Sequence, residues 1–184
     1  MLYFRPHNMK TLYIETSTEK SCLAITDENL LITLPLSGGP ELSKKLALEV
    51  HNLLKTNNFH PEQIAIGRGP GSYTGVRVGA ALGKALAFGW GIPLAEFCSL
   101  KTFIPVCGGP FAVLVDARMG GIYVLTHSMD APKLLSPVEL EEELRDIPLL
   151  LSPHPILIER RIQRTCVEAS PSFPLDLKAA GALR

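Results

Sequence analysis

Residues 63–90 join a short apolar run, a glycine-rich break and a long helical stretch, an order that predicts a strand, a sharp turn and a helix. The break has glycine at alternate positions and one proline. Glycine permits positive φ and lets another segment approach the backbone closely, so the fold must bring a second segment to this turn. The glycine-rich loop consists of Gly67, Arg68, Gly69, Pro70, Gly71, Ser72, Tyr73 and Thr74.

A glycine-rich turn that leads into a helix often binds phosphate. The spacing here fits neither of the two common nucleotide motifs. A P-loop requires Gly-Lys-Ser/Thr, whereas the Gly83-Lys84 pair is followed by alanine inside the helix. Gly69, Gly71 and Gly75 form GxGxxxG, one residue longer than the dinucleotide fingerprint. The loop therefore indicates a phosphate-binding site only weakly.

Small residues recur every four positions along the helix and form one face with almost no side chains. Each glycine inside a helix costs about 1 kcal/mol relative to alanine, so a close contact must compensate. Two explanations remain open: packing against the chain's own sheet, or a seam for another protein chain. Apolar residues lie around much of the helix, so the helix could pack against the sheet and against another chain at the same time. The candidate interface residues are Gly75, Val76, Val78, Gly79, Leu82, Gly83, Leu86 and Ala87.

Composition limits the classes of protein to consider. The chain has 184 residues, 46% of them hydrophobic, enough for one core or two small lobes. Its 18 basic and 18 acidic side chains give no net charge, which argues against autonomous RNA binding. Four scattered cysteines without CxxC predict reduced, buried thiols, and no metal or cofactor site is predicted.

No apolar run approaches the ~18 residues that cross a bilayer, and the first eight residues lack the apolar core of a signal peptide. These features predict a cytoplasmic protein. Met9 is a plausible start, so residues 1–8 are interpreted as an extension.

The chain divides into two halves that each begin with a hairpin. Apolar runs at 12–14, 22–26 and 30–36 predict a three-stranded meander, which an amphipathic helix follows at 41–57. After the central helix, a strand is expected at 92–95 and a short helix, capped by Ser99, at 100–104.

The second half is expected to begin at the Gly108-Gly109-Pro110 break, which divides the chain into lobes 1–107 and 108–184. Strands at 111–115 and 122–126 form its hairpin, and a helix at 137–145 precedes a strand at 149–151. The apolar run 156–162 is expected to pack against the rest of the fold. The tail from Ser170, rich in proline and alanine, is expected to be poorly ordered.

Polar residues end the first strand of each half. Glu15, Thr16 and Ser17 follow the first strand, and Asp116 and Arg118 lie at the end of the strand that opens the second half. Acidic and hydroxyl groups at strand ends can present oxygen atoms to a phosphate, but they also occur in ordinary hairpins. With the glycine-rich loop, they favour an ATP-dependent phosphotransferase or ATPase as one alternative function.

Four segments together resemble the TsaB (YeaZ) family over roughly residues 10–125. They are YIETSTEKSCLAI, AIGRGPGSYTGVRVGAALGKALAFGWGIPL, CSL and VDARMGGIYV. The resemblance implies an α/β fold of the actin, sugar-kinase and Hsp70 (ASKHA) type, with two related lobes of mixed β-sheet flanked by helices. The chain is short for this family, so the second lobe is expected to be reduced.

The resemblance also implies a function: formation of N6-threonylcarbamoyladenosine (t6A) at position 37 of tRNAs that read codons beginning with A. Members are non-catalytic scaffolds and activators. They bind a TsaD homologue as a heterodimer, provide part of the surface on which the ATPase TsaE homologue docks, and pair with themselves through the same surface. Contact with tRNA is then only indirect, through the complex.

For the central helix, the resemblance implies a place in the dimer seam, which favours the interaction explanation of the glycine stripe. The scaffold hypothesis predicts from the glycine stripe that Gly79→Leu would leave the monomer folded but weaken homodimer and heterodimer, whereas loss of secondary structure would indicate packing within the chain. The chain departs from the family pattern at Glu15, where aspartate is common, and at Leu42, where histidine is common.

Overall fold

The computed structural model describes residues 9–39, 41–106, 108–118 and 120–173. The extension predicted at 1–8 and the tail beyond residue 173 lie outside the described residues. None of the helices in the described ranges is long and apolar enough to cross a membrane.

The first half forms a five-stranded mixed sheet with two helices. Three antiparallel strands are followed by two crossovers, each through a helix, that add parallel strands. The strand order is β3-β2-β1-β4-β5. The elements are β1 (Thr11–Glu15), β2 (Cys22–Thr26), β3 (Leu31–Pro35), α1 (Leu42–Thr56), β4 (Gln63–Gly67), α2 (Tyr73–Trp90) and β5 (Leu94–Phe97).

The second half repeats this topology. Its strand order, β8-β7-β6-β9-β10, corresponds strand for strand to the first sheet, with the same antiparallel and parallel pairings. The helices are shorter, with 7 and 8 residues against 15 and 18 in the first half. The elements are β6 (Phe111–Asp116), β7 (Ile122–Thr126), β8 (Lys133–Leu135), α3 (Pro137–Glu143), β9 (Leu149–Ser152), α4 (Pro155–Ile162) and β10 (Val167–Glu168).

Alternation along the strands puts a core on each face of each sheet. In β1, Leu12 and Ile14 belong to the core that α1 and α2 complete, whereas Tyr13 faces the opposite side. In β6, Leu114 packs in the core beneath α3 and α4, and Val113 faces away from them. Both sheets are therefore covered on two faces.

The cover on the second faces comes from segments between and after the sheets. Leu100 and Phe103 of the 3-10 helix Ser99–Phe103 pack in the core with Val113. Phe173 packs against Tyr13 of β1, with ring centroids 4.8 Å apart. The last described segment thus returns to the first sheet.

Several expectations need correction. Ser99 is not a helix cap; it is buried inside the 3-10 helix, and its Oγ accepts a hydrogen bond from the amide of Gly69. Residues 170–173 were expected to be poorly ordered, but Phe173 is buried and the Ser172 amide donates to the carbonyl of Thr102. The strand expected at 92–95 begins at Leu94, because it pairs with β4 only from there.

The predicted buried thiols are confirmed for three cysteines, and Cys107 lies outside the described residues. Burial raises the pKa of the Cys22 thiol to about 12, and the neighbouring Glu15 adds to that rise. Burial likewise raises the pKa of Cys166 to about 11, with a smaller contribution from Glu159. Free Cys22, Cys98 and Cys166 are therefore core residues.

Candidate functional site

The glycine-rich loop lies directly on the turn that follows β1. The Ser72 amide donates to the Ser17 carbonyl at 2.6 Å, and Thr16 Oγ1 donates to the Gly75 carbonyl at 2.8 Å. A Cβ added to Gly71 would lie 2.2 Å from the Ser17 carbonyl oxygen, and one added to Gly75 would lie 2.0 Å from that of Thr16. Side chains at these positions would force the two segments apart.

The first part of the loop is held by Ser99. Its Oγ accepts from the Gly69 amide at 3.0 Å, and its own amide donates to the Gly69 carbonyl at 2.9 Å. Gly69 has φ of +85°, a conformation that favours glycine. A Cβ at Gly67 would lie 2.1 Å from Glu15 Oε2. The backbone conformation or a close contact within the monomer therefore explains why each of these positions is glycine.

The glycine stripe of α2 is buried against the chain's own sheet. A Cβ at Gly79 would lie 2.3 Å from Thr16 Oγ1, and one at Gly83 would lie 2.4 Å from Ile66 Cγ2. The explanation by packing within the chain is therefore the one that the structure supports. Four of the candidate interface residues are buried in this contact and are not surface that a partner can reach: Gly75, Gly79, Gly83 and Ala87.

The remaining candidate interface residues lie beside this contact. Val76, Val78, Leu82 and Leu86 are half-buried, and three of them pack at the edge of the core beneath α2. Part of each side chain is accessible from outside. Their role in a protein interface stays a prediction.

The outer face of α2 is exposed, apolar and basic. Phe88 is 92% exposed and Tyr73 75%, whereas Trp90, 44% exposed, lies on the side of the glycine stripe at the end of the helix. Arg77 lies over the Tyr73 ring, 5.2 Å from its centroid, and donates to its hydroxyl at 3.0 Å. Lys84 is exposed on the same helix, which contains no acidic residue. Exposed apolar side chains mark an interaction surface where they form a contiguous patch, and the residues of this face are candidates for one.

Glu15 lies beneath the glycine-rich loop and is fully buried. Its Oε1 accepts from the Ser17 amide at 2.6 Å and from the Ser17 hydroxyl at 2.5 Å, whereas Oε2 has no hydrogen-bond partner. Burial raises the pKa of Glu15, and the neighbouring hydroxyl groups of Ser17 and Ser99 oppose part of that rise. The carboxyl is sealed from solvent.

Asp116 occupies the position in the second half that Glu15 occupies in the first, because each is the last residue of the central strand of its sheet. Arg161 of α4 forms an ion pair with Asp116 and also donates to the Gly121 carbonyl at 2.9 Å. The Arg118 amide donates to Asp116 Oδ1 at 2.9 Å. The charge of Asp116 is thus balanced inside its own lobe.

The two acidic residues that motivated a phosphotransferase are therefore both engaged, one buried beneath the loop and the other paired with an arginine. Within the described residues there is no cluster of three or more His, Cys, Asp or Glu side chains suited to a metal ion. No local sequence pattern predicted the pairing of Asp116 with Arg161, because 45 residues separate them. Ser99 lies in the CSL segment of the resemblance, but its contact with the loop was missed.

Comparison with known proteins places this fold in a family. The sequence model described as tRNA N6-adenosine threonylcarbamoyltransferase, TsaD, matches residues 34–134. A Bacillus subtilis protein named tRNA threonylcarbamoyladenosine biosynthesis protein TsaB is 34% identical over 123 residues, which are 62% of this chain and 53% of that protein. The Escherichia coli protein of the same name is 30% identical over 145 residues, covering 74% of this chain and 63% of its own length. The matches thus span between half and two thirds of these relatives.

Solved structures show the same fold over a larger part of the chain. YeaZ from Pseudomonas aeruginosa superposes with a TM-score of 0.70 at 22% identity, covering 94% of this chain and 90% of that one. A second Pseudomonas aeruginosa structure is described as an uncharacterized protein with similarity to peptidase YEAZ. It superposes with a TM-score of 0.67 at 22% identity, covering 94% of this chain and 89% of that one. The likeness extends to both sheets.

Proposed function

The chain belongs to the TsaB (YeaZ) family, and from this premise we propose that it is the non-catalytic partner of a TsaD-type transferase. The reaction is formation of t6A at position 37 of tRNAs that read codons beginning with A. The names of the curated relatives support this pathway. The two sheets of equal topology are consistent with an ASKHA-type fold. The observation that carries the proposal is the exposed outer face of α2.

Helix α2 is well suited to present that face. Its inner face is fixed by the glycine stripe, its N-terminus is capped by Ser72 Oγ, and its C-terminus ends at Gly91 in the left-handed conformation. A helix held at such short distance from its sheet has little freedom to move. Tyr73 and Phe88 are then presented in fixed positions, which lowers the entropic cost of binding.

The chemistry of the outer face indicates the kind of partner. Exposed aromatic residues and an arginine are the side chains that most often dominate protein–protein affinity. The basic residues Arg77 and Lys84 favour a partner with acidic groups at the rim of its surface. We propose that a TsaD homologue binds here, that a second copy of this chain competes for the same face, and that a TsaE homologue docks on the heterodimer.

Two contacts support a non-catalytic role. Glu15 is covered by the loop that would have to admit a phosphate, and Asp116 is neutralised by Arg161. A catalytic or metal-binding carboxylate needs a reachable oxygen atom. Glu15 offers none without rearrangement of its lobe, and the charge of the partly exposed Asp116 is paired with Arg161.

Phe88→Ala tests the proposed surface. Since Phe88 is nearly fully exposed, its loss should change the free energy of unfolding of the monomer by less than about 0.5 kcal/mol. If it is a central anchor of the interface, the loss should cost at least about 2 kcal/mol of binding, about 30-fold in Kd for the TsaD homologue. Titration calorimetry with the two purified proteins measures this directly.

Val138→Ala is the matched control, because Val138 is 79% exposed but lies on α3 of the other lobe. It should leave the Kd unchanged. Equal affinity of wild type, Phe88→Ala and Tyr73→Ala for the TsaD homologue would show that this face is not the interface.

A further inference from the structure

Glu15 joins three elements at one point. It ends β1, its Oε1 is bonded to Ser17 in the following turn, and its Oε2 fills the space that a side chain at Gly67 would need. Ser99, at the start of the 3-10 helix, approaches the same point with its hydroxyl, 2.9 Å from the Cβ that Gly67 lacks. The carboxyl group is thus the centre of the contact between β1 and the glycine-rich loop.

The hydrogen bonds around this carboxyl suit its neutral form. An ionised carboxylate can accept about four hydrogen bonds through two equivalent oxygen atoms. Here Oε1 accepts two, both from Ser17, whereas Oε2 accepts none. In the protonated acid the two oxygens differ: one is a carbonyl acceptor and the other carries the proton. Oε1 matches the first role and Oε2 the second.

The charges around Glu15 favour the same form. The groups that face it are the hydroxyls of Ser17 and Ser99, backbone amides and, from β2, the thiol of Cys22. Among the described residues, no lysine, arginine or histidine forms an ion pair with it; the nearby Arg68 pairs instead with Glu96. A buried charge without a counter-ion is strongly unfavourable, which favours the protonated acid.

We propose that Glu15 is a neutral carboxylic acid in the folded protein and acts as a proton-dependent positioning residue that seats the glycine-rich loop, and with it the start of α2, on β1. Loss of the proton would leave a buried negative charge beside the Gly67 backbone, with no ion-pair partner among the described residues to balance it. The loop would then separate from β1. This inference concerns the monomer and does not depend on the proposed function.

The direction of the pH effect follows from the raised pKa. The unfolded chain loses this proton near the usual pKa of 4.5, whereas the folded chain keeps it to higher pH. The contribution of Glu15 to stability is therefore complete below 4.5 and is lost progressively as the pH rises towards the folded pKa. Over that interval one proton is released on unfolding, so the unfolding equilibrium constant rises about tenfold per pH unit.

The experiment compares urea unfolding of the wild type and Glu15→Gln from about pH 5 to about pH 8. Glutamine keeps the size of the side chain and cannot ionise. The ratio of the two unfolding constants should therefore rise about tenfold for each pH unit until the folded pKa is reached. Glu19→Gln is the matched control: Glu19 is exposed four residues away, and its curve should run parallel to that of the wild type.

A second measurement needs no variant. Infrared spectra of the folded wild type at neutral pH should contain the carbonyl band of a protonated carboxylic acid, which disappears on unfolding at the same pH. Parallel pH curves for wild type and Glu15→Gln would overturn the proposal. If Glu15→Gln does not fold, absence of the infrared band in the wild type overturns it, and presence of the band supports it.

Discussion

Substitution of Gly79 by alanine tests whether the glycine stripe is a contact within the monomer. The added Cβ would lie 2.3 Å from Thr16 Oγ1, about 1 Å closer than ordinary contact. Thr16 is buried and β-branched, so it can move away only by giving up its hydrogen bond to the Gly75 carbonyl. The new methyl group and that hydrogen bond cannot both be accommodated.

The magnitude follows from three terms. Overpacking costs about 1–3 kcal/mol, and an unsatisfied buried hydrogen-bonding group costs about 1–3 kcal/mol. The better helix propensity of alanine offsets about 1 kcal/mol of this loss of stability. We therefore expect Gly79→Ala to destabilise the monomer by about 1–5 kcal/mol, a fall in Tm of at least about 2 °C for a chain of this length.

Gly89→Ala is the matched control on the same helix, since an added Cβ there meets no atom within 4 Å. Only the propensity term remains, so this variant should be stabilised by about 1 kcal/mol. Thermal unfolding followed by circular dichroism gives both values. The reasoning is refuted if Gly79→Ala is as stable as Gly89→Ala, and the stripe would then have to be explained by a partner chain.

Two further predictions concern the core and the alternative function. Phe173→Ala should destabilise the protein by about 3–5 kcal/mol, because the ring is buried between Tyr13 and Phe97, whereas Phe88→Ala should cost less than about 0.5 kcal/mol; chemical denaturation of both variants measures the difference. Equal stability of the two variants would show that the last described segment does not hold the first sheet. Calorimetric titration with ATP and magnesium should give no binding heat, because the Glu15 and Asp116 carboxyls are both engaged; saturable heat at micromolar nucleotide would instead favour a phosphotransferase or ATPase.

The sequence predicted those parts of the fold that depend on short-range pattern. Apolar runs bounded by turn residues located the strands of the first meander and of the hairpin that opens the second half, and the helical spacing of Leu42, Leu46 and Val50 located α1. β8 and β10 were missed because they have only 3 and 2 residues and lie at sheet edges, where pairing with a neighbour defines the strand. The helix α4 was predicted only as a packing run, since Ile158 is its one buried residue.

The site was predicted less completely, for a physical reason. A stripe of small residues shows that a helix makes a close contact, but it does not show with which surface. Steric fit to Thr16 and Ile66 decided that question, and both residues are distant in sequence from the positions they contact. Phe88 was counted among the apolar residues around the helix, but its nearly full exposure was not predicted, because an apolar residue near a helix end resembles a core residue in a sequence.

The most direct test of the account is a tRNA modification assay with the purified TsaD homologue of the same organism, the threonylcarbamoyl donor and substrate tRNA, with and without this chain. We expect t6A formation to depend on the chain and to saturate at one copy per transferase, with Phe88→Ala requiring a higher concentration to reach the same rate. Full activity of the transferase alone, unchanged by any amount of this chain, would contradict the proposed role.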